Sequence, residues 1–149
     1  MSAAAVQVGA RPERSGFYWG LLGGSALCAI GVARALSPDP RGFGTHIQLG
    51  LPPCAFQAWT GLPCPACGLT TCFAHMARGQ LTAAAEANTF GVLLFAIVLA
   101  LPPLAVWAVL RKRAFFETFA RMQISRVCIG LASLALVHWL VRVAWLLAR

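Results

Sequence analysis

The stretch Phe90-Gly91-Val92-Leu93-Leu94-Phe95-Ala96-Ile97-Val98-Leu99-Ala100-Leu101-Pro102-Pro103-Leu104-Ala105-Val106-Trp107-Ala108-Val109-Leu110 decides how the chain must be read. It has 21 residues without a charge, and at ~1.5 Å per residue a helix of that length rises ~31 Å, the thickness of a hydrocarbon core. Two flanking stretches behave alike. Residues 17–36 carry no charge until Arg34, and 127–147 are interrupted only by His138 and Arg142. No period-two alternation favours barrel strands, so the expected fold class is an all-α integral membrane protein with three transmembrane helices. Over the whole 149 residues, 59% are hydrophobic and 11% charged. Soluble domains carry about 25% charged residues.

The remaining segments follow from these spans. Residues 1–16 are expected as a disordered tail, and 17–149 as a single membrane domain with a Cys-rich outer loop over 37–89. Arg11 and Arg14 ahead of an apolar run, with Ala33-Arg34-Ala35 behind it, also suggest a signal peptide. The run exceeds the ~7–15 residues of a signal core, so an uncleaved anchor is expected. Gly20 and Gly24, with Gly23, Ala26 and Gly31, offer a groove to a second helix, either of another membrane protein or of a second copy. Pro102-Pro103 should kink or break the second span. Cys28 and Cys128, inside spans, are expected as small buried hydrophobes.

Charge placement gives an orientation. The formal net charge is +8. The bases lie between apolar runs instead of forming one soluble patch, which leaves no nucleic-acid interface and makes the lipid bilayer the partner. Arg111, Lys112, Arg113, Arg121 and Arg126 share one loop with Glu117 as its sole acid. By the positive-inside rule that loop and the N-terminus face the cytoplasm, and 37–89 faces outward.

The outer loop contains Pro53-Cys54 and then Thr60-Gly61-Leu62-Pro63-Cys64-Pro65-Ala66-Cys67-Gly68-Leu69-Thr70, followed by Cys72, His75, Gly79-Gln80-Leu81, Ala84-Ala85 and Asn88. This pattern resembles the bacterial membrane family known as domain of unknown function 2752, whose Cys-Pro-x-Cys-Gly-Leu-Thr core it reproduces. The resemblance covers about 51–110, with an echo around Trp139 to Arg142. It implies a small multi-span protein of a bacterial inner membrane and brings no established activity. The family pattern usually continues Thr-Arg after Gly-Leu, where this chain has Thr70-Thr71.

Pro63 and Pro65 fix φ near the cysteines and Gly68 permits a tight turn, so the thiols are expected on a stiff turn. Beyond it, Leu69, Phe73, Met76, Leu81 and Ala84 recur at helical spacing over 69–87, interrupted by Gly79, as in a short interfacial or re-entrant helix. Three chemistries stand side by side. Cys64 and Cys67 have the spacing of a redox pair. Cys54, Cys64, Cys67 and either Cys72 or His75 have the donor types of a metal site, with zinc as the candidate ion. A disulfide or packed thiols could instead hold the loop in place.

Within the third span, His138 and Arg142 lie four residues apart on one helix face, a polar stripe that belongs to the outer half. If the loop folds over the bundle, both should border the cysteine turn. The chain has four acidic residues, none paired within the spans, and no Gly-rich phosphate loop, H-E-x-x-H or G-x-S-x-G. ATP hydrolysis, zinc-peptidase chemistry and glycoside hydrolysis are therefore disfavoured, as is a carboxylate-based ion carrier. The expectation is a scaffold or accessory subunit with a stapled or metal-binding outer turn; the alternative is a membrane thiol-disulfide oxidoreductase.

Overall fold

The computed structural model describes residues 12–148, and among them there are helices and no strand. In chain order the helices are α1 (Pro12–Ala35), α2 (Ala55–Thr60), α3 (Leu69–Met76), α4 (Leu81–Leu110), α5 (Phe115–Arg121) and α6 (Ile124–Leu147); a 3-10 turn, Thr45–Leu49, precedes α2. Three of these, Arg14–Ala35 within α1, α4 and α6, are long and apolar enough to cross a membrane. Of the tail expected over 1–16, residues 1–11 lie outside the described residues, and Pro12 to Gly16 are the first turns of α1.

Helix α1 runs antiparallel to α4. Trp19 packs with Ala105 and Ala108, and one turn further on Gly23 meets Pro102 and Ala105. A Cβ at Gly23 would lie 3.0 Å from that of Ala105, so the missing side chain lets the two helices approach. Of the small residues on α1, Gly23 and Ala26 are buried, while Gly20, Gly24 and Gly31 have nothing within 4 Å of a virtual Cβ. The glycine groove is thus half used, inside this chain, by α4.

Several local expectations need correction. The short helix expected over 69–87 is two helices. Gly79, at φ 74, turns the chain between α3 and α4, and the His75 ring and Gln80 Oε1, 2.7 Å apart, close that turn. The second span departs from helical geometry at Asn88 (φ −164, ψ 104), whereas Pro102 and Pro103 keep helical dihedrals. At Asn88 the side chain supplies what the backbone gives up: Oδ1 accepts the Gly91 N–H at 2.9 Å, an N-cap that restarts the helix just before its apolar run. Cys28 and Cys128 lie exposed on α1 and α6 and are not the buried hydrophobes expected of them.

The two ends of the bundle are built differently. Where α1 begins and α4 ends, Trp19 is 2% exposed and donates from Nε1 to the Arg113 carbonyl at 3.0 Å, with Phe115 and Phe119 rings 4.9 and 5.8 Å away. At the other end, Arg78 donates to the last carbonyls of α1, at Ala33 (3.3 Å) and Arg34 (2.9 Å), and to Ala74 of α3 (2.8 Å). A guanidinium fork there satisfies helix-terminal acceptors that lack intrahelical partners. The start of α1 and the Arg111–Arg113 segment thus share one end, and the cysteine turn occupies the other.

Candidate metal centre

Cys64 to Cys67 is a four-residue turn closed by the Cys67 N–H on the Cys64 carbonyl at 3.0 Å. Pro65 holds its second position, where a φ near −65° is what such a turn requires. Gly68 follows at φ +86; a Cβ there would collide with the Ala87 carbonyl and lie 2.9 Å from that of Gly42, so this backbone fits only glycine. The turn is thereby pressed against the start of α4. Cys54 arrives from the residue before α2, and the Sγ atoms of Cys54, Cys64 and Cys67 all lie within 4.8 Å of one another.

The three thiols differ in environment. The backbone amide of Gln57 beside Cys54 favours its thiolate and draws its pKa below the usual thiol value. Burial, reinforced by hydrogen bonding with Cys64, pushes Cys67 up to about 12. The Cys64 N–H points at Cys67 Sγ from 3.2 Å, and Gln57 Oε1 lies 3.8 Å from the same sulfur. A cavity of about 310 Å³ opens on the cluster, with His46, Gln57 and Thr70 in its wall beside the three cysteines.

The other residues singled out in the sequence take other positions. Cys72, fully buried, packs with Ala84, Ala87 and Gly91, and burial alone raises its pKa to about 11. The His75 ring is engaged with Gln80. Neither joins the sulfur cluster: both ride on α3, whose helical path carries them away from the turn. Thr71, standing where the family pattern usually has arginine, is fully buried with its hydroxyl 2.8 Å from that of Thr45.

From α6, Arg142 Nη1 donates to the Cys67 carbonyl at 3.1 Å. His138, half-buried one turn earlier, makes no hydrogen bond to the turn; its neighbour Trp139 does, donating from Nε1 to the Pro63 carbonyl at 2.7 Å and meeting Phe56 of α2 edge to face at 6.2 Å. Asn88 Nδ2 is the second donor to the Cys67 carbonyl, also at 3.1 Å. In the sequence Asn88 stands only as one residue of the family pattern. An Asn directly before an apolar run is a helix-start signal, but its second task depends on a contact 21 residues away.

The comparisons with curated proteins and with solved structures found no match. Residues 54–102, which contain the three clustered thiols, Asn88 and the first part of the second span, match the family described as protein of unknown function (DUF2752), the same family that the Cys-Pro-x-Cys-Gly-Leu-Thr pattern resembles.

Proposed function

We propose that this protein is a small membrane scaffold or accessory subunit whose outer turn binds a metal through Cys54, Cys64 and Cys67. The observation that carries the reading is the convergence of three sulfurs within 4.8 Å, one of them brought from outside the C-x-x-C turn. A disulfide joins two sulfurs and leaves the third without a purpose. A tetrahedral thiolate site with Zn–S near 2.3 Å spaces its sulfurs by about 3.8 Å, so a small closure of this cluster suffices. Zinc is the ion that best suits a thiolate-dominated set. The basic loop supports an orientation with the N-terminus in the cytoplasm of a bacterial cell and the turn beyond the inner membrane.

The test is metal analysis of the full chain, purified in detergent without chelator or strong reductant. One zinc per chain is expected, falling to background in Cys54→Ser. Absence of zinc from the wild type, together with three freely titrating thiols, would refute the reading.

A second reading rests on the Cys64 N–H directed at Cys67 Sγ, an arrangement suited to a dithiol pair. The Cys64 thiolate would attack a disulfide of a partner protein and release one partner thiolate. Cys67 would then displace the second, so that two electrons pass to the partner and a Cys64–Cys67 disulfide remains. This reading leaves Cys54 without a role, and Cys54→Ser discriminates: exchange activity persists if the pair is the functional unit.

A further inference from the structure

The segment leading to the cysteines is tied down on both sides of His46. Gly44 and Gly50, at φ 92 and 75, bracket the 3-10 turn that contains it. Thr45, fully buried, accepts the Asp39 N–H at 3.0 Å and shares its hydroxyl with Thr71 at 2.8 Å. Gln48 clasps Ser37 twice, accepting its N–H at 3.0 Å and donating to its carbonyl at 2.6 Å. A turn fixed at 45 and 48 presents residue 46 at a defined place, in the wall of the same cavity as Cys54, Cys64 and Cys67.

The hydrogen bond of the ring also fixes which nitrogen can act as a ligand. His46 Nε2 stands 3.2 Å from the Pro52 carbonyl oxygen. A carbonyl only accepts, so Nε2 carries the proton and Nδ1 keeps its lone pair. A ring N–H held by a backbone carbonyl is the usual support of a metal-binding histidine, because it sets the tautomer and raises the basicity of the other nitrogen.

We propose that His46 is the fourth protein ligand, completing a Cys3His site through Nδ1. The proposal rests on the metal reading of the cysteine cluster and extends it. The imidazole lies outside the group of sulfurs within 4.8 Å of one another, so the 3-10 turn and the cysteine turn close toward each other as the ion is captured, with Nε2 kept on the Pro52 carbonyl. Binding forms one metal–nitrogen and three metal–sulfur bonds, and the three thiols release their protons to solvent. A site with four protein ligands leaves no position for substrate, which makes the centre structural. It would also join the 3-10 turn, the start of α2 and the cysteine turn through one ion.

Cobalt(II) loaded into the full chain in detergent tests this, because its visible bands report coordination number and donor type. The wild type should show tetrahedral bands with sulfur-to-metal charge transfer. His46→Ala should bind cobalt and zinc at least about 10-fold more weakly, with shifted bands. His46→Cys, which offers a fourth thiolate from the same turn, should recover affinity and show the spectrum of a four-sulfur site. Unchanged affinity and bands in His46→Ala would overturn the proposal while leaving the three-cysteine site standing. A His46→Cys spectrum with no fourth sulfur would overturn it too, even if His46→Ala folds poorly. A wild type that binds neither ion would remove both readings.

Discussion

The aromatic end and the cysteine end of this bundle are held by opposite means. At the first, Trp19 is enclosed by Phe115, Phe119, Ala105 and Ala108, and its one hydrogen bond, to the Arg113 carbonyl, satisfies a polar atom that burial would otherwise leave without a partner. At the second, Trp139, Arg142 and Asn88 direct donors at two carbonyls of an irregular turn. Apolar packing tolerates small displacements because it is non-directional. Hydrogen bonds weaken steeply once distance and angle drift, so an end built from them depends on something that keeps the turn rigid. On the metal reading proposed above, the clustered thiols would supply that fastening.

The largest effect separating the two ends should come from Trp19→Ala. Removing a buried indole costs about 3–5 kcal/mol, visible as a lower melting temperature in detergent. Metal bound per folded chain should not change; if it does, the ends are not independent. Arg142→Leu should cost less overall, about 1.5–3 kcal/mol for a charged hydrogen bond lost, but should act on the other end. Faster alkylation of Cys67 in the metal-free protein is the expected readout, and an unaltered rate would show that α6 does not steady the turn. Asn88→Ala should remove about 1 kcal/mol of capping and one of the two donors to the Cys67 carbonyl. Hydrogen exchange at Gly91 and the residues after it checks this, since fraying should begin there and leave the Trp19 end protected.

The last contrast lies within the cysteine end itself, in the pH response of two of its thiols. The thiolate is the reactive form, so in metal-free protein Cys54, held low beside the Gln57 amide, should alkylate at lower pH than Cys67, which burial pushes up to about 12. As pH rises, Cys54 should react before Cys67. Residue-resolved mass spectrometry after iodoacetamide treatment gives the order, and coincident curves would mean that the turn opens in the metal-free state.

Much of the architecture was legible in the sequence because the signals were local. Apolar runs near 20 residues announce spans whatever surrounds them, and the Pro-flanked cysteines with Gly68 announce a tight turn. In the second span the local signal and the observed interruption lie apart. Pro102-Pro103 announces a kink or a break, and the helical dihedrals that persist there exclude the break; Asn88 is where the helix is interrupted, because its side chain can cap the restart and support the turn at once. By donor type and spacing, either Cys72 or His75 stands as the fourth donor beside Cys54, Cys64 and Cys67. Helix α3 turns Cys72 into the interface with α4 and sets His75 against Gln80, whereas Cys54, ten residues before Cys64, is carried back to the turn by α2.

The sequence by itself determined the number of apolar helices and the location of a stiff cysteine turn between the first two of them, because both depend on residue type and short spacing. Tertiary structure alone decided which three thiols meet, that Trp139 and not His138 reaches the turn, and that Thr45 and Thr71 share a buried hydrogen bond which sets His46 in the cavity wall. Each of those is a meeting of residues 10 to 76 positions apart, fixed by how helices pack and not by any pattern within one of them.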